Sequence, residues 1–354
     1  MTKAGFATPI ASDDGDARIR EIEERSIPIE EIKYHTTTIG DYEDHETLQL
    51  PIGIFIDGKD EDSPKERVVD FTIRQNIHLG DFDEFLANLD PKEGESPKKC
   101  IDTISMFLGG GKIKEGYHLG AIESLGGIDF REFVQRTRYS SGAQLISNMF
   151  LGDVATVLFA ARMQIGEQQG IDEETGEEID KCQMAVERIC PRAECKEKCR
   201  SIQSLKGIKI KSIPGLEDKP LFKYTLQNPI SDGRSVINNV YLEPLKLYQL
   251  GLFISGNKPP DIEMLVAMIA AIPESEVYGR KAGNPFCSDL YKKMSIRDIS
   301  ALKTATARLS PGPVALIEDI ECACGEESFP HQINWVRTPR NFLYQSFSLT
   351  AEDL

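Results

Sequence analysis

Apolar and polar residues alternate along two stretches in the first quarter of the chain. Leu48, Leu50, Ile52, Ile54 and Ile56 take every second position of LQLPIGIFIDG, and Val68, Phe71 and Ile73 follow in RVVDFTIRQNI. A period of two predicts strands, and Asp57-Gly58 opens a turn, so residues 47–77 are expected to form a β-hairpin. Its connection, GKDEDSPKE, is too polar for a core and suits an exposed tip. Elsewhere the spacing is helical. Asp81 stands before Phe82, Phe85, Leu86 and Leu89, which predicts a capped helix. Two short helices separated by glycines are expected between Cys100 and Arg136. The strongest helix is expected over 143–166, where apolar residues cover most of the circumference and predict a central position in a domain. Strands are expected at 206–212 and 221–228. Further helices are expected from Pro244 (PLKLYQLGLF) and from an Asp261 cap (IEMLVAMIAAI), the latter ended by Pro273.

These elements predict an α+β, multi-module chain. It has an N-terminal β-hairpin region plus two helix-strand modules with a cysteine metal site. The expected divisions are an extended arm over 1–45, an N-terminal α+β domain over 46–139, a central helix and cysteine module over 140–250, and a C-terminal helical and Cys-x-Cys module over 251–354. The arm is polar and acidic. A short charged helix at Arg18–Arg25, stopped by Pro28, is expected in it, and in an assembly such an arm lies on a neighbour. A weak repeat also runs through the chain. Asp153 opens a helix that reaches Ala161-Arg162, then Gly166, then Cys182. Asp298 likewise precedes ISALKTATARL, with Ala307-Arg308, Gly312 and Cys322 beyond. Residues 140–212 and 285–337 are on this basis related modules.

Charge narrows the partners. The formal net charge is −16, from 57 acids against 41 bases, the wrong sign for a nucleic-acid backbone. Lys206, Lys209 and Lys211 in KGIKIKS are expected on a solvated strand face. The start of the chain lacks a basic segment followed by an apolar run, and no stretch reaches eighteen uninterrupted apolar residues. A reducing cytoplasm and no membrane span are therefore the expectation.

In that setting dense cysteines point to metal more than to disulfides. Cys182, Cys190, Cys195 and Cys199 crowd one segment, and Cys322 and Cys324 form a second group in ECACGEESFPHQINW. Zinc takes four thiolate or imidazole ligands in a tetrahedron, and an iron–sulfur cluster takes the same number of thiolates. Pro191 after Cys190 suggests a helix start, on which Cys195 and Cys199 share a face and chelate together, with Cys182 closing the set. Cys322-Ala323-Cys324-Gly325 resembles half of a zinc ribbon with one residue between the cysteines instead of two. It either joins the first group in space or is a degenerate site, with His331 as the nearby imidazole. Cys100 and Cys287 are expected to be isolated, buried residues.

No catalytic pattern competes with this reading. HExxH, GxSxG and GxGxxG are absent, and the histidines at 35, 45, 78, 118 and 331 are scattered. Gly109-Gly110-Gly111-Lys112 lacks the phosphate-loop spacing and is expected to be a turn or hinge. The expectation is a protein that is not an enzyme. An iron–sulfur redox protein is the alternative.

The hairpin LPIGIFIDG…RVVDFTIR, the phrase GDVATVLFAARMQIG, the cysteine group behind it and the final ARLSPGPVALIEDIECACGEESFPHQINW together resemble the baseplate hub and tail-assembly proteins of contractile-tailed phages, of the T-even baseplate hub type. The likeness covers mainly 140–205 and 285–340, with a looser fit at 47–90. It implies a structural subunit of a virion tail baseplate or related contractile injection machine, or a tail-assembly chaperone, assembled in the host cytoplasm. The implied partners are other baseplate, hub-spike and tail-tube proteins, with a homo-oligomeric ring as the expected symmetry.

Overall fold

A computed structural model describes residues 15–38, 47–56, 66–75, 77, 98–113, 116–166, 170–171, 178–179, 183–190, 195, 198–204, 209–216, 221–231, 235–249, 268–273, 277–278, 290, 292–308, 311–313, 317–322 and 328–332. The chain is α+β, with helices and several separate sheets. The helices are α1 (Gly15–Glu24), α2 (Lys98–Gly109), α3 (Phe130–Gln135), α4 (Gly142–Asn148), α5 (Leu151–Gly166) and α6 (Ile296–Arg308). The first strands are β1 (Ser26–Pro28), β2 (His35–Thr38), β3 (Leu48–Ile56), β4 (Glu66–Ile73), β5 (Gly111–Ile113), β6 (Gly116–His118), β7 (Ile122–Leu125) and β8 (Ile128–Asp129). Then come β9 (Gly170–Ile171), β10 (Glu178–Ile179), β11 (Gln183–Ile189), β12 (Lys198–Ser204), β13 (Lys209–Ser212), β14 (Leu221–Ser231) and β15 (Val236–Leu242). Last are β16 (Ile269–Ile272), β17 (Val277–Tyr278), β18 (Gly312–Pro313), β19 (Ile317–Glu321) and β20 (Ser328–Gln332).

Two compact units share the chain, each built from two segments. The first holds Met1–His35 and Ile213–Ser310, the second Thr36–Ser212 and Pro311–Leu354. This division cuts across the four consecutive segments expected from composition. Part of the expected arm belongs to the first unit. β1 pairs in parallel with β14, and Ile22 of α1 is buried with Tyr241 and Ala271. That apolar anchor, with the open edge of β14, ties 15–35 to its own chain.

The main sheets of the two units follow one plan. In the second unit the strand order is β3-β4-β7-β8, and in the first it is β14-β15-β16-β17 with β1 outside β14. Gln49 faces Asp70 and Ile54 faces Val68, so Leu50, Pro51, Ile52 and Gly53 bulge out of the ladder. Thr225 faces Asn239 and Ile230 faces Ile237, so Leu226, Gln227, Asn228 and Pro229 bulge in the same place. The next ladder slips alike in both. Thr72 faces Ser124 while Ile73 faces Ile122, and Tyr241 faces Ala271 while Leu242 faces Ile269. One residue later Arg74 N–H donates to the Ala121 carbonyl at 2.9 Å, and Glu243 N–H donates to the Met268 carbonyl at 2.8 Å. Bulges are specific features of a fold, so this shared irregularity is strong evidence of duplication. The repeat therefore reaches well upstream of 140 and 285.

Each sheet carries a helix. α5 packs on β3, and α6 packs on β14. The expected helix over 143–166 is two helices, because Met149 adopts an extended conformation between α4 and α5. α5 is central, as its apolar circumference requires. Val154, Ala155, Val157, Phe159 and Ala161 are wholly buried. Gly152 lets the backbone of Pro311 approach: a Cβ there would stand 1.9 Å from the Pro311 carbonyl oxygen.

Other expectations fail among the described residues. Of the helix expected from Pro244, the described residues 244–249 hold a 3-10 turn at Leu247–Gln249, and the rest lies outside the described residues. Ile269–Ile272 is strand β16, buried on both faces, so its unbroken apolar run served a sheet interior instead of a helix. Lys211 is buried in β13, not on a solvated face. The Asp81 helix and most of the Asp261 segment lie outside the described residues. The glycine triplet is a turn, with Gly110 at φ +70 ending α2.

Candidate metal centre

Two hairpins of the second unit frame the cysteines. β11 pairs with β12 from Gln183↔Ser204 to Ile189↔Lys198, and Cys190 follows the last pair at once. β19 pairs with β20 from Ile317↔Gln332 to Glu321↔Ser328, and Cys322 follows that last pair in the same way. β12 packs against β19. The expected turn and helix over 190–199 gives way at its end to strand, since Lys198 and Cys199 stand in β12. QMAVERI and KCRSIQS face each other in an antiparallel ladder, with Cys199 opposite Arg188 in β12.

The tips bring three sulfurs together. The Sγ atoms of Cys190, Cys195 and Cys322 all lie within 4.8 Å of one another, with Cys190 and Cys322 buried and Cys195 half-buried. Cys195 Sγ is 3.7 Å from Cys322 Sγ. That is well beyond the roughly 2.05 Å of a disulfide bond. Two thiolates each about 2.3 Å from one tetrahedral ion stand about 3.8 Å apart. These three cysteines can hold a metal ion. The second cysteine group thus joins the first in space through Cys322. Cys182 and Cys324 lie outside the described residues, as do Cys287 and the side chain of Cys199. Cys100 lies half-buried on α2, away from this group in sequence and element. His331 sits in β20 opposite Glu318, inside the ladder and not at the tip.

A second pair of polar sites lies beneath the bulges. Buried amides must find acceptors. Asp153, third residue of α5, accepts the Ile52 amide at 2.8 Å and the Gly53 amide at 3.0 Å. Asp298, third residue of α6, accepts the Gln227 amide at 2.8 Å and the Asn228 amide at 3.3 Å. Ile52 and Asn228 occupy equivalent places in their hairpins. Proline, which has no N–H, decides which neighbour is the second donor. Pro51 precedes Ile52, so the donor is Gly53 behind it. Pro229 follows Asn228, so the donor is Gln227 ahead of it.

The two carboxylates are electrostatically unlike. Burial pushes Asp153 up to about 7, against the opposing pull of the two amides and Arg67. Burial also acts upward on Asp298, but the Ser295 hydroxyl, the Gln227 amide, the Tyr224 hydroxyl and the Asn228 amide outweigh it and hold the carboxyl below its usual range. Ser295 Oγ donates to Asp298 at 2.6 Å and accepts the Asp298 amide at 3.1 Å, so the serine caps the start of α6. Burial and the Asp298 charge push Tyr224 up to about 12. In the sequence both aspartates stand as helix starts and as markers of the repeat, and no spacing shows them as acceptors for a bulge. The words LQLPI at 48–52 and LQNPI at 226–230 look alike, but they align Pro51 with Pro229, two residues out of the structural register that sets Ile52 against Asn228.

Among known proteins, no family model matches this sequence, and no curated protein or solved structure matches it. No helix among the described residues is long and apolar enough to cross a membrane.

Proposed function

We propose that this chain is a zinc-stapled structural subunit of a contractile-tail baseplate or hub, or of a related injection machine. The observation that carries the structural part is the meeting of Cys190, Cys195 and Cys322 at the tips of two hairpins far apart in sequence. An ion held there cross-links the second unit without opening a reaction site, as structural zinc sites do. Three sulfurs all within 4.8 Å of one another favour one ion, because in an iron–sulfur cluster no iron takes more than two of the cysteine thiolates and a third stands further away. The described buried aspartates accept backbone amides and so serve the fold. The setting rests on the sequence likeness of 140–205 and 285–340 to baseplate hub proteins.

Metal analysis with an absorption spectrum on the purified full chain tests the zinc reading. The expected result is about one zinc per chain without visible colour. A coloured protein that bleaches on reduction would instead support an iron–sulfur redox protein. Quantitative mass spectrometry of purified tail particles tests the setting. Copies of the chain in fixed ratio to the tail proteins are expected, and absence from intact particles would remove the baseplate assignment.

A further inference from the structure

We infer that Cys195 and Cys322 are a redox couple: a peroxide converts them to a disulfide, which takes over from the ion in holding the two hairpins together. The inference rests on the metal reading above and adds the regulation of that site.

Cys195 Sγ stands 3.7 Å from Cys322 Sγ. A disulfide bond is about 2.05 Å long, so closing it takes an approach of about 1.7 Å. Rotation of the two side chains about their Cα–Cβ bonds supplies a movement of that size. The three sulfurs differ in access. Cys190 and Cys322 are each 4% exposed, whereas Cys195 is half-buried. A peroxide arriving from solvent therefore meets Cys195 first, and accessible thiolates are the ones oxidised.

Two sulfurs lie within 4.8 Å of Cys195 and compete to resolve it. Cys190 is five positions away in the same tip, and Cys322 is 127 positions away in the other hairpin. A bond to Cys322 closes by far the longer loop and restricts the unfolded chain more, so it is the more stable product. Cys190 is within 4.8 Å of both other sulfurs, so a disulfide formed first with Cys190 exchanges to the Cys195–Cys322 bond.

The step balances with hydrogen peroxide as oxidant. The Cys195 thiolate attacks one peroxide oxygen. The S–O bond forms, the O–O bond breaks and hydroxide leaves, which gives a sulfenic acid. The Cys322 thiolate then attacks the Cys195 sulfur. The S–S bond forms, the S–O bond breaks and a second hydroxide leaves. Solvent protonates both hydroxides to water, and two electrons have passed from the pair of sulfurs to the peroxide. Of the three gathered thiolates only Cys190 is left as a ligand, so the ion is released. The tips stay joined, now by a covalent bond. A tail subunit built in a reducing cytoplasm and released from it keeps its staple in both settings by this exchange.

Peroxide treatment of the purified, zinc-loaded full chain tests this, read by a zinc indicator and by peptide mapping without reduction. One equivalent of hydrogen peroxide is expected to release the zinc and to give the Cys195–Cys322 peptide as the main disulfide. Dithiothreitol with added zinc is expected to reverse both. Cys195→Ser is expected to slow zinc release at least tenfold and to form no cross-link to Cys322. Cys195→His keeps a ligand at that position and guards against a folding failure of the serine variant. It is expected to hold its zinc through the same treatment. A main disulfide between any other pair, one with Cys182, Cys199 or Cys324 included, would overturn the inference. So would thiols that stay reduced with zinc bound, and both results leave the metal reading intact. A chain that takes up no zinc would remove the metal reading, and the peptide map alone would then decide the Cys195–Cys322 disulfide.

Discussion

Two aspartates show how one residue type settles differently in the same frame. Asp153 and Asp298 hold the same helical position and clasp the same bulge. Only Asp298 has hydroxyl donors beside the amides, from Ser295 and Tyr224. Asp153 has burial against it and lies at about 7. Truncating Asp153 to Ala leaves two buried amides without an acceptor, at about 1–3 kcal/mol each. Urea unfolding of that variant is expected to show the second unit weakened by at least about 2 kcal/mol, and an unchanged midpoint would dismiss the clasp. Gly53 is the other sensitive residue. It sits at φ +93 with a prospective Cβ 2.8 Å from the Val68 carbonyl oxygen. Gly53→Ala is expected to cost more than about 1 kcal/mol in the same measurement.

Hairpins are the elements through which the duplication becomes chemistry. β3–β4 and β14–β15 spend their irregularity on a helix contact, while β11–β12 and β19–β20 spend their tips on sulfur. The former are tied by local hydrogen bonds, so stripping metal should not disturb them directly. The cysteine hairpins are short, and a two-stranded hairpin alone is marginal in water. Chelation of the purified chain is expected to increase amide exchange in 183–204 and 317–332 while leaving 221–242 protected. Equal exchange with and without chelator would mean that no ion holds the tips.

At the level of the whole molecule the two units are expected to answer pH in opposite ways. The folded value of Asp153 is raised above the roughly 3.9 of an unfolded aspartate. Its contribution is therefore complete below about pH 4 and is lost as pH rises through about 7, by up to about 4 kcal/mol. Asp298 is lowered, so its contribution is present above about pH 4 and is lost as pH falls through its folded value. Denaturation at pH 5 and pH 8, followed by exchange in each unit, is expected to show the second unit stronger at pH 5. Asp153→Asn is expected to flatten that difference, since an amide does not titrate. A second unit with the same stability at both values would contradict the burial of an ionisable Asp153.

Much was legible without coordinates. Alternation at 48–56 and 66–73 wrote the first hairpin. The apolar circumference over 143–166 predicted a buried helix, which α5 is for the greater part of that range, and Asp153 and Asp298 marked a repeat. These are local periodicities, and a chain's own spacing carries them. The unbroken apolar run at 269–272 could not choose helix or strand, because only the neighbouring β15 ladder supplies its hydrogen-bond partners. Nor could sequence choose among six cysteines for one ion. Cys195 and Cys199 have helical spacing, yet pairing of β11 with β12 put them on a hairpin, and packing of β12 on β19 brought Cys322 to Cys195 across 127 positions. Ligation depends on distance in space, and that distance was set by strand pairing that no local spacing encodes.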